Sequence, residues 1–98
     1  MFIKIHKSYR PVVAICDSNL IGKKFEEGEF QIDVKEAFFK GDEITKEMAI
    51  QMLKKQALED ATFNIIGKES IQASVEAEII KATEISTIAG IPFSLSLI

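Results

Sequence analysis

The chain has 98 residues, 12 basic and 15 acidic side chains for a formal charge of −3, and 47% apolar against 28% charged content. These values suit one domain, residues 1–98, that buries a core of its own, and they lie far from the composition of a disordered chain. They give no global basic field for nucleic acid or anionic membrane, no cysteine pair for a disulfide, and no apolar run of membrane-spanning length.

The N-terminus lacks the long apolar stretch of a signal peptide, so a cytoplasmic, soluble protein with no membrane partner is expected. Phe2 to His6 alternates, with Ile3 and Ile5 on one face and Lys4 and His6 on the other, the period of a half-buried strand. Ser8-Tyr9-Arg10-Pro11 makes a short connection, and the apolar run Val12 to Cys16 follows. Five residues with three β-branched ones fit a strand covered on both faces, and the pair reads as an N-terminal hairpin. Asp17-Ser18-Asn19 carries turn chemistry, because these side chains bond nearby backbone amides.

Gly22 to Gly28 is a charged loop, and Phe30, Ile32 and Val34 then face one way along a third strand. Phe38-Phe39 fits one helical turn, stopped by Gly41-Asp42. A helix is predicted from Thr45, its N-cap, to about Leu58, with Ala49, Ile50, Leu53 and Ala57 as its buried stripe. Thr62 to Ile66 reads as a strand ended by Gly67, and Lys68 to about Ala82 as a second helix with Ile71, Val75 and Ile79 in one line. Glu84 to Ala89 and the alternating Ile91 to Ile98 are the last strands, with Pro92 placing the final one at a sheet edge. The order predicts an α/β (α+β) fold, a two-layer sandwich whose mixed five- to six-stranded sheet carries two main helices on one face.

Four stretches resemble an archaeal family of small uncharacterised proteins, domain of unknown function 424. They are Lys4 to Arg10; Val13 to Asp17 with Leu20 to Gly28 and Gln31 to Val34; Phe39 to Glu43; and Asn64 to Ser70. Gly22-Lys23-Lys24-Phe25-Glu26-Glu27-Gly28 is the most specific of these strings. The resemblance implies an archaeal cytoplasmic source and an α/β fold, and it carries no activity across. In the family a Gly-hydrophobic-Pro tripeptide is often followed by histidine; here Gly90-Ile91-Pro92 is followed by Phe93.

Candidate sites follow from residue chemistry. In the charged loop, Lys23 and Lys24 are candidate phosphate contacts and Phe25 a base-stacking platform, while Glu26, Glu27 and Glu29 cancel the local field. Lys23, Lys24, Phe25, Glu26 and Glu27 are therefore a candidate binding surface, with a protein partner favoured over direct nucleic-acid contact. Gly67, Lys68 and Ser70 open a helix after a strand, where free amides meet anions. A P-loop is excluded there, since the upstream glycine is missing and Glu69 separates Lys68 from Ser70.

Cys16 with His6 is the single Cys-His combination available, and its apolar context fits an inert thiol. Asp17 and Asp33 with Glu26, Glu27 or Glu29 are candidates for a carboxylate pair. Metal-ligand spacing is absent, and no cofactor or catalytic constellation is evident. The sequence thus points to a non-catalytic binding or adaptor module for a protein or ribonucleoprotein partner, leaning away from an enzyme. The alternative is a small-ligand binder or enzyme built on carboxylates near the charged loop. Ile98, on the opposite face of the last strand from Leu97, keeps a homodimer open beside the monomer.

Overall fold

The computed structural model describes residues 1–95. Expectations for residues 96–98, including a dimer contact through Ile98, lie outside the described residues. Strand β1 (Phe2–His6) pairs antiparallel with β2 (Val12–Cys16), Phe2 opposite Cys16 and His6 opposite Val12. β2 pairs in parallel with β6 (Thr62–Ile66). β8 (Ile91–Leu95) runs antiparallel between β6 and β7 (Ser86–Ile88), and the two-residue β5 (Asp42–Glu43) closes the other side against β1. The result is a mixed six-stranded sheet in the order β5-β1-β2-β6-β8-β7.

The run Val12–Cys16 explains the layering. Val13 and Ile15 sink into a core with Ala49 and Leu53 of α2 (Lys46–Leu58) and Ile71 and Ala73 of α3 (Lys68–Glu76). Ala14 and Cys16 face the other way, into a second core with Leu20, Ile32, Val34, Phe39, Ile66 and Ile88. A strand at the sheet's centre can be apolar throughout because both of its faces are covered. The two helices take one face, as the sequence predicts. The opposite face is covered by a separate two-stranded hairpin, β3 (Lys24–Glu27) with β4 (Phe30–Asp33), and by the short α1 (Glu36–Phe39). The expected third strand therefore exists but lies outside the main sheet, with the charged loop as its partner strand.

Both long helices end on residues other than glycine. At the end of α2 the Asp60 amide donates to Ala57 and the Ala61 amide to Gln56, with Asp60 at φ 59°. At the end of α3 the Glu78 amide donates to Val75 and the Ile79 amide to Ser74, with Glu78 at φ 60°. This paired closure satisfies the last carbonyls, at a cost of about 1 kcal/mol for each left-handed non-glycine residue. It stops α3 at Glu76, short of the predicted Ala82, and leaves Val75 exposed while Ser70, Ile71 and Ser74 are buried. Ala57 is likewise exposed at the end of α2, and Ala49 and Leu53 form the buried stripe.

The edge position read from Pro92 is corrected: β8 lies inside the sheet. Gly67 N donates to the Pro92 carbonyl at 2.8 Å, while the Gly67 carbonyl accepts from Ile71 N at 2.9 Å. The acceptor facing residue 92 is thus already used by the start of α3, so a residue without an N–H fits there.

Leu53 is fully buried between α2 and the sheet. Leu53→Ala is expected to lower the unfolding free energy by about 3 kcal/mol, read from denaturant curves with an unchanged slope.

Candidate functional site

The hairpin is built by its glycines. Gly28 (φ +60°) takes the first position of the two-residue turn between Glu27 and Phe30, the glycine position of a type II′ turn. Gly22 N donates to Val34 O at 2.7 Å and Val34 N to Lys23 O at 2.8 Å, so the pairing continues to the base. In register, Phe25 faces Ile32 and Glu27 faces Phe30 on one side, with Lys24 opposite Asp33 and Glu26 opposite Gln31 on the other. Ile32 is buried and Phe25 half-buried against the second core, while Lys23, Lys24, Glu26 and Glu27 are exposed. The loop's aromatic thereby packs against the second core with part of its surface covered.

On the hairpin the exposed aromatic is Phe30, at 77%, and elsewhere Tyr9 is exposed as well. Phe30 points to the same side as Ile32, but it stands on the last rung of the hairpin, beside the sheet edge. There Glu27 Oε1 accepts from the Ala89 amide at 2.9 Å and ties the tip to the β7–β8 turn. Between tip and strands lies a cleft of about 410 Å³, floored by Ile32, Ile88 and Phe93 and rimmed by Phe30 and Leu95. Alternation alone places Phe30 with the core residues; no sequence signal says that the hairpin reaches its edge one rung too early to cover it.

The helix end of Gly67, Lys68 and Ser70 has a different occupant. Asp17, at the end of β2 and 6% exposed, accepts from Glu69 N (3.1 Å), Ser70 N (2.8 Å) and Ser70 Oγ (2.8 Å). A capping residue bonds these second and third amides of a helix, but here the N-cap, Gly67, has no side chain and the acceptor comes from another strand. Gly67 is at φ +111°, and a Cβ on it would sit 2.3 Å from the Asp17 carboxyl carbon. Glycine is needed for both reasons. An incoming anion would have to compete with a carboxylate that already holds these donors, while Lys68 remains exposed.

Other candidates are distributed over separate elements. Asp17 serves α3, Asp33 faces Lys24 across the hairpin, and Glu27 bonds the β7–β8 turn, so these carboxylates are not brought together. His6 Nε2 donates to the Phe38 carbonyl at 2.9 Å, its ring stacked on Phe38 at 4.6 Å, and Lys4 Nζ donates to Ala37 O at 2.8 Å. His6 and Cys16 sit at opposite ends of the β1–β2 ladder, roughly 14 Å apart along the strand at ~3.4 Å per residue, so they form no pair. Burial first, then the neighbouring Asp17 carboxylate, pushes the Cys16 thiol from its ordinary 9.0 up to about 11. Among the described residues no group of three or more His, Cys, Asp or Glu side chains is placed to hold a metal ion.

The chain belongs to the family described as protein of unknown function (DUF424), whose model matches residues 6–97. In fold it is similar to the crystal structure of an uncharacterized conserved protein from Methanopyrus kandleri. That likeness has a TM-score of 0.86 at 21% identity, over 97% of this chain and 88% of the other. No curated protein matches the sequence. Among the described residues no helix is long and apolar enough to cross a membrane.

Asp17→Ala removes three accepted hydrogen bonds and strands the buried Ser70 hydroxyl. The expected loss is about 2–3 kcal/mol, or roughly 10–20 °C in Tm for a domain of this size, with Asp17→Asn losing less; thermal unfolding measures both. For Cys16 the folded thiol titrates above the unfolded one. Its contribution to stability is therefore complete below pH 9 and is lost as pH rises toward 11. Unfolding free energies across that range should fall for the wild type and fall less for Cys16→Ala.

Proposed function

We propose that this member of the DUF424 family is a non-catalytic binding module that engages a protein partner through the tip of its hairpin and the adjoining cleft. The observation that carries the reading is Phe30, 77% exposed on the rim of a cleft of about 410 Å³ with an apolar floor. A large aromatic held in water beside an apolar hollow is the usual form of an interaction anchor. Leu58 is exposed too, but it borders a wider and shallower depression.

The inward packing of Phe25 speaks against direct stacking on nucleic acid. The exposed Lys23 and Lys24 lie at the other end of the hairpin from Phe30, with Lys24 in register with Asp33. A ribonucleoprotein partner would then be met through one of its proteins. The separation of Asp17, Asp33 and Glu27 favours binding over acid–base chemistry.

A photo-crosslinking residue placed at position 30, compared with one at the exposed Gln51 on α2, tests the reading in the source cells. The expected result is a discrete crosslinked protein at position 30, about tenfold above that at position 51 and lost with Leu95→Asp in the same chain. Equal crosslinking at both positions, or an adduct removed by nuclease, would overturn it.

A further inference from the structure

We infer that the partner segment is an extended, basic peptide with one large apolar side chain; this rests on the binding-module reading above. The cleft offers an apolar floor for one such side chain in Ile32, Ile88 and Phe93. Among the described residues its one charged lining side chain is Glu27, whose Oε1 is fixed by the Ala89 amide at 2.9 Å. Glu29 stands beside it in the turn, Glu26 adds charge from the hairpin's other face, and no lysine or arginine lines the cleft. The hairpin from Lys23 to Asp33 carries two lysines against four acids, and the potential at the mouth is therefore negative. Complementary charge selects a partner and speeds its encounter.

The backbone adds a direction. Ile88 and Ile91 flank the two-residue Ala89-Gly90 turn, whose φ values of 48° and 79° are those of a type I′ turn. They are thus a hydrogen-bonded pair, and Thr87 opposite Pro92 is not. The Thr87 N–H and C=O consequently point away from β8, toward the open side of the edge strand. Among the described residues no backbone partner takes this rung, so an extended segment can lie along β7 and set alternate side chains over the floor. A strand of three residues gives few such bonds, so the acidic tip and the apolar seat supply the selectivity.

The test uses the whole 15N-labelled chain and two synthetic octapeptides with a central leucine, one flanked by lysines and one by glutamates. At low salt the lysine peptide should shift the amides of Phe30, Ile32, Thr87 and Ile88 saturably, binding about tenfold tighter than the glutamate peptide. Raising the salt to about 0.5 M should shrink that preference. Glu26→Lys with Glu29→Lys should reverse it, and Phe30→Ala should weaken both peptides; the spectra themselves report that each variant is folded. Equal binding of the two peptides, shifts confined to other surfaces, or no saturable shift with the lysine peptide would overturn the inference. If position 30 still crosslinks a discrete protein in those cases, the binding-module reading survives and the basic-peptide inference alone fails.

Discussion

The buried carboxylate of Asp17 is the constraint on which the rest of the structure turns. It sits where β2 ends, its own amide bonded to Ile66 O at 3.1 Å, and it holds the first turn of α3 on the helical face of the sheet. On the opposite face the chain leaves the same residue into the turn Ser18–Leu20 and on to the hairpin. One side chain thus fixes the start of a helix in one layer at the point where the other layer begins. A buried acid is costly unless its oxygens are bonded, and here two amides and a hydroxyl meet that requirement. Gly67 completes the arrangement by leaving room for the carboxyl group.

This has a chemical consequence for the candidate sites. The feature of the sequence that most resembles an anion site is supplied with its anion by the chain itself. The charged loop, which resembles a nucleic-acid contact, folds into a hairpin that turns its aromatic inward. What the fold leaves unfilled lies at the far end of that hairpin, where the second layer stops short of covering Phe30. The surface proposed for a partner is therefore set by how far a covering layer reaches.

Most of the architecture was legible in the pattern of the residues. The period of two in Phe2–His6, the doubly buried run Val12–Cys16 and the Thr45 cap each report a local preference that the fold keeps; Met48 N donates to Thr45 Oγ1 at 3.2 Å. The misreadings concern information that is not local. Pro92 is tolerated inside the sheet because a helix has already taken the facing carbonyl. The Lys68 helix ends early because Glu78 adopts a left-handed conformation that glycine usually marks. Asp17 has the composition of a turn residue, and nothing in sequence reveals donors 52 and 53 residues away. For the site, the Gly22–Gly28 string reads as a charged loop but folds as one strand of the hairpin, and Phe30 could not be separated from Ile32 by alternation.

Native-state hydrogen exchange at the start of α3 tests the central claim most directly. If Asp17 fills this helix end from within, the Glu69 and Ser70 amides, which an open helix terminus leaves to solvent, should exchange only through large unfolding events. The Thr87 amide, on the open edge of β7, should exchange orders of magnitude faster in the same sample. Glu69 and Ser70 amides exchanging as fast as Thr87 would contradict the account.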